Sequence, residues 1–227
     1  MTKKFLMICV CVAAVCFSLV VRAEDNPRLR YANTFSKQIN QDWTIFLYSE
    51  FNTDYDPGHD LNGIDNELGF VYSGVAKWLD LGAAVGHWDE KDAGDWEGRG
   101  QTFQYVFGTL KWSGFGVDVS DRNRFDFQFP DHRTEDGQVY RNDLVLAPTY
   151  KWTRYKIQPF IGDETYYGFL ARHLTTNELA SGFNFQITKN IGASIFYMNT
   201  QSCSKDTDGT KHWKNQPRIG FTTSVAF

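Results

Sequence analysis

Arg122, Arg124 and Asp126 recur at every second position of one short stretch, and Arg141 and Asp143 repeat the pattern a little further on. Alternate residues of a β-strand share a face. Each stretch therefore gathers its charges on one side, and a single connection between them makes the two strands antiparallel neighbours. Their charges can then lie across from each other. Glu50, Glu67, Asp118, Lys156, Glu164 and Glu178 fall on the same kind of polar face. The chemistry these residue types support is guanidinium–carboxylate and ammonium–carboxylate pairing. Such a set can act as a network that fixes strand register. It can also line a narrow polar channel, or a pocket in which Arg122, Arg124 and Glu164 select small polar solutes. Removing Arg122 alone would strand a partly buried carboxylate, which costs more than loss of the pair.

Covalent chemistry has weaker support. The pairs His59-Asp60, His87-x-Asp89 and Asp131-His132, with His173 and His212, fall in polar loops or at strand ends. Acid–base or nucleophilic work needs a base oriented by a carboxylate and a nucleophile within hydrogen-bond reach. No G-x-S-x-G, H-E-x-x-H, cysteine pair or phosphate-binding loop accompanies these histidines. No catalytic, cofactor or metal site is assigned from the sequence. A hydrolase with its site on a loop rim stands as the alternative to a channel or a structural or binding barrel.

The elements that must position these charges are strands. Ten amphipathic segments run 43–53, 64–73, 78–88, 101–112, 115–128, 140–150, 155–166, 175–187, 191–200 and 215–227. Each is about the ten residues a tilted strand needs to cross a bilayer. Their connections alternate between short turns (74–77, 113–114, 151–154, 188–190) and longer charged loops (54–63, 89–100, 129–139, 167–174, 201–214). One face of each strand is apolar: Leu79, Leu81, Ala83 and Val85 oppose Asp80, Gly82, Ala84 and Gly86. Lipid cannot satisfy an open sheet edge, so a sheet with an apolar outside has to close on itself. Trp43, Trp78, Trp88, Trp112, Tyr150 and Trp152 fall where interfacial girdles belong. The expected fold is all-β: a closed antiparallel transmembrane β-barrel of about ten strands, with twelve as the alternative, its short turns periplasmic and its long loops external. Residues 28–38 also alternate like a strand, but an eleventh would break the even count usual for bacterial barrels. They read instead as a plug, an extension or a sign of a further hidden strand.

The last segment carries an address. Ile219, Phe221, Thr223, Val225 and Phe227 share one face, and an amphipathic strand ending on Phe227 resembles the closing strand of outer-membrane barrels, where it also serves as the assembly signal. Residues 1–23 read as a signal peptide, with Lys3 and Lys4 ahead of an uncharged run of seventeen residues. Its removal takes three of the 23 basic residues and none of the 27 acidic ones, leaving residues 24–227 as one domain of charge −7. An acidic chain without a basic patch argues against a nucleic-acid partner. Only Cys203 remains after cleavage, so no disulfide can form within one chain. The expected partners are outer-membrane lipid and the barrel-assembly machinery, with a small polar solute for the lumen.

Four runs follow one another in a familiar order: Arg122-Asn-Arg-Phe-Asp-Phe, Pro159-Phe-Ile-Gly-Asp-Glu-Thr-Tyr-Tyr167, Asn177-Glu-Leu-Ala-Ser-Gly-Phe and Ile187-Thr-Lys-Asn-Ile-Gly-Ala-Ser-Ile-Phe-Tyr-Met198. Over residues 40–227 the chain resembles an uncharacterised outer-membrane β-barrel family of Gram-negative bacteria, marked by R-x-R and P-F-x-x-D-E-x-x-Y strands. The chain departs from that pattern at Thr175-Thr-Asn-Glu-Leu, where the family often has Arg-Asn-Arg. The resemblance implies an outer-membrane location and a barrel fold, and no reaction.

Overall fold

The computed structural model describes residues 28–53, 60–91, 100–130, 137–205 and 210–227. The signal peptide read at 1–23 lies outside them. Eleven strands follow in order: β1 (Arg28–Gln38), β2 (Trp43–Thr53), β3 (Leu61–Ala76), β4 (Leu79–Glu90), β5 (Gln101–Gly114), β6 (Val117–Pro130), β7 (Gly137–Pro148), β8 (Gln158–Gly168), β9 (His173–Gln186), β10 (Ile191–Lys205) and β11 (Lys211–Ala226). Each pairs with the next, and β1 closes the barrel on β11.

This corrects the expected count of ten, or twelve. Residues 28–38 are neither plug nor extension but a wall strand. Strands that reverse at every turn leave the first and last of an odd set running the same way, so closure requires a parallel pair. That seam runs from Arg28 opposite Arg218 to Ser36 opposite Ala226, and the Phe227 N–H donates to the Ser36 carbonyl at 2.9 Å. The other ten pairs are antiparallel. Cross-strand partners traced from Asn33, mid-way along β1, through Ser49, Asn66, His87 and Thr102 arrive at Phe129 near the far end of β6. The rows climb because the strands tilt, as closure demands.

Turn positions differ from expectation for local reasons. The β5–β6 hairpin turns at Phe115 (φ 50°) and Gly116 (φ 82°) rather than at 113–114. Two positive-φ residues give the twist that a two-residue hairpin needs. The turn expected at 151–154 runs on, because Trp152 pairs with Ile157 and Thr153 and Lys156 both take positive φ. β8 therefore starts at Gln158, not 155. At the other end much of the expected loop is strand. β10 and β11 stay paired out to Lys205 and Lys211, and the connection expected at 167–174 shrinks to 169–172. Cys203 lies in β10, half-buried, rather than in a loop.

The polarity of the molecule is inverted. Leu47, Leu68, Phe70, Val85, Val106, Phe125 and Phe221 are exposed on the outer wall, whereas Glu50, Glu67, Arg124, Asp126 and Glu178 are buried. Inward aromatics cover glycines on the neighbouring strand: Phe46 faces Gly69, Phe107 faces Gly82, Phe103 faces Gly86 and Phe196 faces Gly220. A Cβ on Gly220 would sit 2.1 Å from the Phe196 ring. The missing side chain is what lets the ring lie against the wall, and these rings narrow the lumen around its charges.

Candidate functional site

Inside the barrel, alternate residues of β1, β2, β3 and β5 to β11 converge on a connected belt of charge. It begins at Glu67, which accepts from the Tyr105 hydroxyl at 2.5 Å and from Arg124 Nη1 at 3.2 Å. Arg124 Nε donates to Asp126 at 2.5 Å, and its guanidinium lies 3.5 Å from the centre of the Tyr105 ring. Arg141 Nη1 sits 3.6 Å from the other Asp126 oxygen, and its Nη2 donates to Glu164 at 2.7 Å and to the Tyr166 hydroxyl at 2.8 Å. The Tyr166 hydroxyl also lies 3.5 Å from Glu178. Arg30 then joins Glu178, at 3.5 Å, to Glu50, at 2.6 Å. Glu50 also accepts from Tyr48 and Asn52, and Glu178 accepts from Thr200 at 3.0 Å with Arg218 at 3.9 Å.

This arrangement follows from the cost of burying charge. An isolated ion in a place poor in water is expensive, and pairing with further hydrogen bonds is the way to keep it charged. Arg124 and Asp126 are 4% and 3% exposed, and each finds a partner. The guanidinium fork suits the task, since one side chain can hold two carboxylates and still stack on an aromatic face. Several links span strands that are not neighbours: Arg124 on β6 reaches Glu67 on β3, and Arg30 on β1 reaches Glu178 on β9. The belt is thus a brace across the lumen as well as around it.

The interior is not packed solid. A cavity of about 720 Å³ runs beside the belt, lined by Arg30, Glu50, Glu67, Arg122, Arg141 and Glu178 among others. Lined by charged and polar groups, it is roomy enough to hold water. Eleven strands fall between the eight that side chains fill and the sixteen that leave an open aqueous channel.

Of the residues singled out from the sequence, Arg122, Arg124, Asp126, Arg141 and Glu164 line this lumen. Arg122 and Asp143 pair across β6 and β7 at 3.2 Å, but their side chains are 38% and 27% exposed, so this is the open end of the network rather than its core. Lys156 is not part of it. It sits exposed in the turn before β8, at φ 47°. Sequence reasoning missed Arg30, Arg218, Tyr48, Tyr105 and Tyr166. Arg28 and Arg30 alternate with Leu29 and Tyr31 in 28–38, the segment that a ten-strand barrel leaves out of the wall. Arg218 shares parity with Gly220 and Thr222 on the small-residue face of the last strand, the same kind of signal. The tyrosines carry no such mark, because a tyrosine suits either face.

The histidines fall elsewhere. His87 Nε2 lies 3.2 Å from Asp89 and its Nδ1 lies 3.2 Å from the Thr102 hydroxyl, on the outer wall near one rim. His173 contacts the Leu174 carbonyl at 2.8 Å, and His212 is exposed on β11. His59, Asp131 and His132 lie outside the described residues. Among the described residues no group of three histidine, cysteine or acidic side chains is placed to hold a metal ion.

A search of the curated proteins gives no match to this chain. The match that does arise covers residues 27–211, from just before β1 to the first residue of β11. By that match the chain belongs to the family described as protein of unknown function (DUF2490), and what is established for it is a closed, all-β barrel of eleven strands around a charged lumen.

Proposed function

We propose that the protein spans the outer membrane of a Gram-negative bacterium and that its lumen is a narrow, charged passage for small polar solutes. The observation that carries this reading is the inverted polarity: apolar side chains make up most of the outer wall while the ion pairs lie in the interior. So large an exposed apolar surface marks contact with another apolar phase, and a closed barrel satisfies every backbone group without an edge. Beside Ala83 the outer wall carries an apolar groove of about 750 Å³ lined by Trp43, Ile45, Leu68, Phe70, Val85 and Val106, a surface suited to acyl chains. Export through the segment 1–23 and delivery to the barrel-assembly machinery through the Phe227 strand belong to the same proposal.

Inside, the belt sets what can pass. Each arginine is committed to carboxylates, so a solute must fit the hydrated space beside the belt or displace part of it. Reconstitution of the folded protein in a planar lipid bilayer is the test. Steady single-channel steps, with ion selectivity altered by Arg122→Ala at the open end of the belt, are the expected result. A silent bilayer containing correctly folded protein would leave a structural or binding barrel. Silence together with ester hydrolysis that disappears in His87→Ala would move the activity to the rim.

A further inference from the structure

The outer wall is not apolar all round. On β6 to β9 four successive cross-strand rows can be followed. The first is Phe125, Tyr140 and Tyr167, and the next is Asn123, Asn142, Thr165 and Asn177. Below them come Asp121, Leu144, Asp163 and Leu179, then Val119, Leu146, Ile161 and Ser181. All share the parity opposite to the lumen charges. The amides and carboxylates are joined to one another: Asn142 donates to Asp121 at 2.6 Å and to Asn123 at 3.3 Å, Tyr140 donates to Asn123 at 2.5 Å, and Asn177 donates to Asp163 at 2.6 Å. Asp163 is exposed, and so are Phe125, Leu144 and Leu146 around the patch. Aromatic rings close it on one side, with Phe125 and Tyr140 at 5.1 Å and Tyr167 and Phe169 at 5.5 Å. Aliphatic side chains close it on the other. The opposite wall carries the outward polar row Asn33, Ser49, Asn66, His87 and Thr102, with Ser49 donating to Asn66 at 2.8 Å, but no carboxylate lies among Ile45, Leu47, Leu68, Phe70, Ala83, Val85 and Val106 beside it.

Ionised carboxylates facing hydrocarbon are costly, and intramembrane acids face protein or water. This band therefore does not face lipid if the barrel spans the membrane, the reading on which the inference rests. We infer that the β6–β9 face is an interface with a second copy of this chain. An occupant must lie in the same membrane and present polar groups at the same depth, and another copy does so by construction. The patch is also self-complementary. Asn123, Asn142 and Asn177 each carry donors and acceptors, while Asp121 and Asp163 supply acceptors. Polar side chains hydrogen-bonding between neighbouring segments are an established way to hold membrane proteins together, and two-fold pairs are the commonest closed assembly.

The test uses the full-length protein carrying Cys203→Ser and one new cysteine, oxidised in isolated outer membranes. Asn142→Cys and Thr165→Cys lie in the patch, and Leu68→Cys lies on the apolar wall. Only barrels showing the folded, heat-modifiable gel position are scored. At least one patch variant should give a band of twice the chain mass, at tenfold or more the yield of Leu68→Cys. Monomers from both patch variants, or equal dimer yields from all three, overturn the inference. So does cross-linking to a product of a different mass, which identifies another membrane protein as the occupant. Protein missing from the outer-membrane fraction defeats the membrane reading and this inference with it. Monomers in a loaded fraction defeat this inference alone.

Discussion

Arg124 is where the largest single-residue effect is expected. It holds Glu67 and Asp126 together, lies over Tyr105 and is almost wholly out of water. Removing one partner of such a set leaves the others charged and uncompensated, at a cost of about 3–5 kcal/mol. Arg124→Ala should therefore lower stability in denaturant unfolding of detergent-folded protein by about that much. Arg124→Lys should recover little of it, because an ammonium cannot fork between two carboxylates or stack on the ring as the guanidinium does. Arg122→Ala should cost far less, since the Arg122–Asp143 pair is well hydrated and exposed pairs contribute about 0–1 kcal/mol. Equal losses at the two positions would contradict this ranking. From the sequence the weight falls on Arg122, because parity shows which face a charge takes and not how much water reaches it. The alternation of Arg122, Arg124, Asp126, Arg141 and Asp143 was legible. What Arg124 reaches, three strands away on β3, depends on the curvature of the closed barrel, which no local pattern encodes. The other face of the same strand carries Asp121 and Asn123 in the same alternation, and parity alone does not say which of the two polar faces turns inward.

Among the elements, the strands were legible because their period of two persists over ten residues or more, and their ends were not. A strand ends where pairing stops, which depends on the partner and its turn; hence β8 loses 155–157 to the Trp152–Ile157 bridge, while β10 and β11 extend together into an expected loop. The glycines belong to this scale. Gly220 on β11 and Phe196 on β10 are direct partners, and a side chain at 220 would run into the ring and push it into the lumen. Overpacking of this kind costs about 1–3 kcal/mol or more. Gly220→Val should therefore weaken the barrel next to its parallel seam, seen as a lower temperature for loss of the folded gel form. Gly108 on β5 faces the outer wall, where an added Cβ would make ordinary contacts with Leu81 at 3.6 Å and the Asp80 carbonyl at 4.0 Å, so Gly108→Val should leave that temperature nearly unchanged. A similar fall for both substitutions would show that β-sheet preference, not the lumen ring, sets the response.

For the whole molecule, the odd strand count has a consequence for topology. β1 and β11 run parallel, so Arg28 lies at the end of the barrel where β3, β5, β7 and β9 also begin, and Phe227 lies at the opposite end. A barrel of ten or twelve antiparallel strands would bring its two termini to the same end. In the orientation expected from the sequence, with short turns periplasmic and long loops external, the turns at Phe115–Gly116 and 187–190 face the periplasm with Phe227, and the ends at Arg28 and Ser204 face the exterior. Single cysteines at these places, in a Cys203→Ser background, separate the cases on whole cells treated with a membrane-impermeant thiol reagent. Arg28→Cys and Ser204→Cys should label on intact cells, whereas Ser113→Cys and Lys189→Cys should label only once the outer membrane is opened. Labelling of Arg28→Cys from the periplasmic side, in step with Ser113→Cys and Lys189→Cys once the outer membrane is opened, would mean that the first strand runs opposite to the last, and the parallel seam would have to be abandoned. Labelling of Lys189→Cys but not Ser204→Cys on intact cells would keep the seam and invert the barrel. The four positions respond differently because an odd barrel alone sends its first and last strands across the membrane in the same direction.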